Sequence, residues 1–111
     1  MRKLSLVFML LSLPALALAD SWKNVSLVDQ MCHDQVKDQA DSHPVSCALK
    51  CADSGYGIFT SEGKWLKLDS KGNQAAVAAL KKTSKKDHVR ADVEGTLKGD
   101  VIHVASLTIP D

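Results

Sequence analysis

The apolar residues of this chain fall into five short runs with the alternation of β-strands and one run with helical spacing, each bounded by turn-forming residues. That pattern restricts the fold most, because strands this short leave unpaired edges unless the sheet is covered or closes on itself. Trp22–Asp29 (WKNVSLVD) is rich in β-branched and aromatic residues and reads as the first strand. Tyr56–Ser61 and Lys64–Asp69 flank Glu62-Gly63, the signal of a tight hairpin. In His88–Glu94 the residues Val89, Ala91 and Val93 face one way and His88, Arg90, Asp92 and Glu94 the other. A turn through Lys98-Gly99-Asp100 leads into Val101–Ile109, whose alternation changes phase near Ala105-Ser106, the mark of a bulge. The helical run is Gln74–Lys82, with Asn73 as its cap, Ala76, Val77, Ala79 and Leu80 on one side, and Lys81 and Lys82 at its negative end.

Between the first strand and the hairpin the chain turns polar over residues 30–45, with Asp34, Lys37, Asp38, Asp41 and His43-Pro44, and an ordered loop is expected there. Ser46 then caps a short predicted helix, Cys47–Asp53, ended by Gly55. The predicted fold is therefore mainly β: five strands, one helix between strands 3 and 4, and a short Cys-bearing helical insert after strand 1. That is the layout of a small OB-like barrel. An open α+β sheet with the same helix on one face is the competing arrangement.

Residues 1–19 carry an address. Arg2 and Lys3 precede the apolar run Leu4–Leu13, Pro14 interrupts it, and Ala17-Leu18-Ala19 has the small-x-small form of a cleavage site before Asp20. The run is too short for a permanent membrane span, and no Cys stands at the junction for a lipid anchor. The expectation is a signal peptide over 1–19 and a single domain over 20–111, periplasmic or secreted, with no membrane anchor after cleavage. Loss of Arg2 and Lys3 takes the charge balance from 14 basic against 13 acidic residues to 12 against 13. That balance gives no general attraction to nucleic acid.

Three stretches together carry a family resemblance. They are Val25-Ser26-x-x-Asp29-x-x-Cys32, Cys47-x3-Cys51-x3-Gly55-Tyr56, and Val93-x-Gly95-Thr96-Leu97-x-Gly99-Asp100-x-Ile102-x-Val104-x-Ser106-Leu107. Over nearly all of residues 20–111 the chain resembles a group of small exported bacterial proteins with an OB-like barrel and a Cys-x3-Cys insert. The resemblance implies fold and location, and no reaction.

Cys32, Cys47 and Cys51 are an odd number of thiols for an oxidising compartment. In one reading two of them form a structural disulfide. Cys47 and Cys51 share a helix face but fit a bridge poorly, so Cys32 would pair with one of them, and closing that loop stabilises by roughly 3 kcal/mol. The spare thiol could then join two copies covalently. In a second reading the three thiols and His33 or His43 make a Cys3His-type metal site for zinc or copper, with the Met31 thioether added for copper. In a third, Cys47 at a helix N-terminus is a low-pKa redox thiol. Phe59 and Trp65 mark a candidate binding surface on the barrel, and Lys81–Lys86 with Arg90 a basic run that reads as a solvated helix end. No Ser/His/Asp order, paired carboxylates or phosphate-cradling glycine loop is present, so no enzymatic activity is expected. The expected function is an exported small binding or structural module cross-linked by a disulfide and needing no cofactor. The alternative is a periplasmic metal-binding protein.

Overall fold

The computed structural model describes residues 19–110; the expected signal segment, 1–19, lies outside the described residues apart from Ala19. Five strands form a closed barrel: β1 (Asp20–Asp29), β2 (Tyr56–Phe59), β3 (Trp65–Leu68), β4 (Arg90–Lys98) and β5 (Val101–Thr108), in the order β1-β2-β3-β5-β4. Pairing of β1 with β4, Trp22 opposite Val93 and Val25 opposite Ala91, completes the ring and excludes the open sheet. All neighbours are antiparallel except β3 and β5, which pair in parallel at Lys67–Val101 and Leu68–Ile102. The helices are α1 (Val45–Lys50), before β2, and α2 (Ser70–Lys82), between β3 and β4.

Strand alternation builds the interior. Val25, Leu27, Ile58, Leu66, Leu68, Val93, Ile102 and Val104 are buried in one apolar cluster, to which α2 adds Ala76 and Leu80 and α1 adds Ala48. The phase change expected in the last strand is present: Glu94 faces Ser106 but Gly95 faces Val104, so Ala105 is the extra residue. A Cβ at Gly95 would collide with the His103 carbonyl on the facing strand. β4 runs from Arg90 to Lys98 rather than from His88 to Glu94. His88 sits at φ 54°, outside the extended region, and residues 95–98 still have partners on β5.

Both helices start earlier than expected. α1 begins at Val45 after Pro44, with no side-chain cap from Ser46, and ends at Lys50; Ala52–Ser54 form a separate 3-10 turn. Asp69, not Asn73, caps α2: its carboxylate accepts from Gly72 N at 2.9 Å and from Val104 N at 3.2 Å. Asn73 is committed elsewhere, its Oδ1 accepting from Tyr56 N at 2.8 Å.

The β1–β2 connection, residues 30–55, is the part of the fold that positions a site. It contains α1 and three 3-10 turns, at Gln30–Cys32, Ala40–Ser42 and Ala52–Ser54. Its first part lies against the outer face of the barrel, with His33 stacked on Trp65 of β3 and Asp41 accepting from Ser26 of β1, while α1 packs on the interior cluster through Ala48. On the outer face Val28 and Phe59 are buried although neither belongs to the interior cluster.

The cap makes a testable claim about stability. Asp69→Ala removes an acceptor shared by α2 and β5 and should lower the unfolding free energy by about 2 kcal/mol in urea titration, with Asp69→Asn recovering most of the loss.

Candidate functional site

The site begins with a carboxylate where the barrel should have an aliphatic side chain. Val25, Leu27 and Asp29 share the inward parity of β1, and Asp29 is fully buried opposite Tyr56. Both of its oxygens are used. Oδ1 accepts from Nε2 of the buried His43 at 2.6 Å, and Oδ2 accepts from Cys32 N at 3.1 Å, capping the first 3-10 turn. A buried carboxylate needs this many partners to be tolerated.

Short local bonds then bring the two ends of the insert together. Gln30 N donates to Gly55 O at 2.8 Å, Met31 N to Ser54 Oγ at 3.1 Å, and Ser54 Oγ to Cys51 O at 2.7 Å. The result is a cluster in which a carboxylate oxygen of Asp29 and the sulfurs of Cys32 and Cys51 all lie within 4.8 Å of one another. The Cys51 thiol points at the Met31 thioether, Sγ to Sδ 4.0 Å. Met31 is 68% exposed, the one large apolar side chain so exposed among the described residues.

The electrostatics follow from the carboxylate. Burial, then the charge of Asp29 and its hydrogen bond to the thiol, push Cys32 up to about 11. That is the opposite of the depressed thiol pKa a redox nucleophile needs. Tyr56 is pushed up to about 12 by burial and then by Asp29 and Cys51, and its hydroxyl donates to Ala48 O at 2.8 Å.

The residues expected for a metal site therefore separate. Cys32 and Cys51 come together, and His43 reaches the cluster only through Asp29. Cys47, one helical turn before Cys51, is outside the cluster. His33 turns the other way and stacks on Trp65, centroids 4.4 Å apart and planes 17° apart, with Nδ1 at Gln30 O and Nε2 3.2 Å from Asp34 Oδ1. All three cysteines stand as thiols. Asp29 was missed as a site residue. Its signal was an acid on the inward parity of a strand and three residues before a cysteine, the spacing of a cap.

The expected aromatic surface is largely covered. Phe59 is buried and tilted against Trp65, centroids 5.0 Å apart. Trp65 is half-buried between His33 and Gly57, where any Cβ would collide with the indole. Its Nε1–H is, among the described residues, the buried side-chain polar atom without a partner. Beside this face a cleft of about 660 Å³ opens between residues 37–42, the middle of β1 and the β2–β3 hairpin. Arg90 closes one wall: its Nε and Nη2 donate to the two oxygens of Asp41 at 2.9 and 2.7 Å, and Nη1 to Asn24 O at 3.0 Å. Arg90 is thus a structural clamp, while Lys81, Lys82 and Lys86 of the basic run are exposed.

These geometries define a class: a closed five-stranded β-barrel whose β1–β2 insert brings two thiols and a thioether up to a buried carboxylate at the end of β1. Compared with family models, with curated proteins and with solved structures, the chain matches none of them.

Two expectations follow. Asp29→Ala leaves the buried His43 N–H and the Cys32 amide without an acceptor, and should cost about 3 kcal/mol in denaturant unfolding. The second concerns pH. The Arg90 hydrogen bonds hold the Asp41 carboxyl below the usual carboxylate range. Its stabilising contribution is therefore present above the ordinary carboxylate pKa of about 4 and lost as pH falls through the lowered folded value. The stability gap between wild type and Arg90→Ala, about 1 kcal/mol at neutral pH, should close on acidification below about pH 4 in pH-dependent thermal unfolding.

Proposed function

We propose that this chain is an exported, single-domain binding module of OB type, and that what it binds is a zinc or copper ion held by Cys32 and Cys51. The observation that carries the reading is the convergence of donor atoms at the insert. Two sulfurs and a carboxylate oxygen lie within 4.8 Å of one another, and a thioether lies 4.0 Å from one of those sulfurs. Donors at such separations can share one ion, and thiolates select soft or borderline metals. The strand order with a parallel β3–β5 pair, and α2 joining β3 to β4, support the OB assignment. The leader-like residues 1–19 support export. A metal module also suits a barrel whose aromatic face is already covered by its own insert.

A second reading rests on the same two sulfurs. The insert brings the sulfurs of Cys32 and Cys51 within 4.8 Å of one another as free thiols, and a movement of the turns that carry them would let an S–S bond form when a disulfide donor takes two electrons and two protons from the pair. The bridge would fasten the two ends of the insert and stabilise by roughly 3 kcal/mol, leaving Cys47 as the spare thiol.

Native intact mass of the 20–111 protein, purified without chelator or reductant, separates the two. The metal reading expects one zinc or copper per chain, lost in Cys51→Ser. A mass about 2 Da below the reduced value with no adduct, and a Cys32–Cys51 linked peptide on digestion, would replace it with the structural disulfide.

A further inference from the structure

We propose that the ion is monovalent copper, held by three sulfur atoms, those of Cys32, Cys51 and Met31, and that Asp29 is a positioning residue rather than a ligand. This rests on the metal reading above and specifies its third donor.

The third donor decides the metal. With two thiolates and the Asp29 carboxylate, the set would be mixed sulfur and oxygen, suited to zinc. With two thiolates and a thioether it would be all sulfur, which selects Cu(I). Asp29 is poorly placed to ligate, because Oδ1 is held by His43 Nε2 at 2.6 Å and Oδ2 by the Cys32 amide at 3.1 Å. Turning the carboxylate onto an ion would strand a buried histidine and open the cap that sets the Cys32 backbone.

Met31 has no such engagement. Its side chain is 68% exposed, against the tendency of a large apolar group to be covered, yet its sulfur faces the Cys51 thiol. A metal–sulfur bond of about 2.3 Å places neighbouring donors of a trigonal site about 4 Å apart. The Met31–Cys51 separation of 4.0 Å already matches that edge. The Met31 amide is tied to Ser54 Oγ at 3.1 Å, next to the Cys51 carbonyl that Ser54 also holds, so the two donors are positioned by one hydroxyl. An exposed thioether at the rim also leaves the site open to an incoming ion or to a partner exchanging one.

In chemical balance, each Cys thiol gives up its proton as the ion arrives: two protons leave, one Cu(I) enters, and no electron moves. The medium must keep the copper reduced and the thiols unoxidised.

The test is an anaerobic titration of the reduced 20–111 protein with Cu(I) against a colorimetric Cu(I) chelator, and separately with Zn(II). Wild type should bind one Cu(I) per chain. Met31→Leu, which alters an exposed side chain and leaves thermal unfolding unchanged, should weaken Cu(I) binding about 10-fold or more while Zn(II) affinity stays within about two-fold. Cys51→Ser should abolish binding of both ions, and Cys47→Ser should change neither. Unchanged Cu(I) affinity in Met31→Leu overturns the three-sulfur site while leaving the metal reading standing. Failure of the reduced wild type to bind either ion overturns the metal reading itself, and loss of Cu(I) binding in Cys47→Ser would relocate the site.

Discussion

The buried Asp29–His43 pair is the interaction on which the rest of this structure depends. It joins the end of β1 to a point fourteen residues further on, across a largely polar stretch of the chain. A carboxylate with no exposed surface is costly unless every lone pair is met, so the geometry around it is narrowly specified. His43 must come back to the barrel mouth, and Cys32 must present its amide to the second oxygen. Those two demands place Cys32 on the inner side of its turn, within reach of Cys51.

The same constraint explains why the outer face of the barrel is covered. Once residues 30–43 are anchored at both ends, the intervening chain must lie across β1, β2 and β3. There His33 stacks on Trp65, and Asp41 accepts from Ser26 Oγ and from Arg90. Val28 and Phe59, which alternation turns away from the interior, become a second small apolar layer beneath the insert. Apolar burial on both faces helps a domain this small, whose single interior is modest. It also buries Phe59 and leaves Trp65 half-exposed beneath His33, next to the cleft that Arg90 walls.

The strands and the β5 bulge were legible because alternation with a phase slip is a local signal: each residue's parity reports which face it occupies. The helix starts were less so. Asp69 and Asn73 are both good caps, and the choice between them lay in a hydrogen bond from Tyr56 N, seventeen residues away in the chain. The site was half legible. Cys32, Cys51 and Met31 stood out by residue type, but Cys47 and Cys51 were equivalent by spacing. The C-cap position of Cys51, where α1 gives way to the next 3-10 turn, separates them. His33 and His43 were likewise equal in sequence, and they part because one meets an indole and the other a carboxylate.

The sequence by itself determined that this chain is a set of short alternating strands around one amphipathic helix, with a polar cysteine-bearing insertion and a leader-like start. Those properties are carried by neighbours along the chain. Tertiary structure alone decided that β1 closes onto β4, that Asp29 is a buried anchor, and that two of three thiols gather beside it with a thioether next to one of them. The physical reason is range: strand pairing, charge burial and donor convergence depend on residues tens of positions apart, and no local pattern encodes which of them will meet.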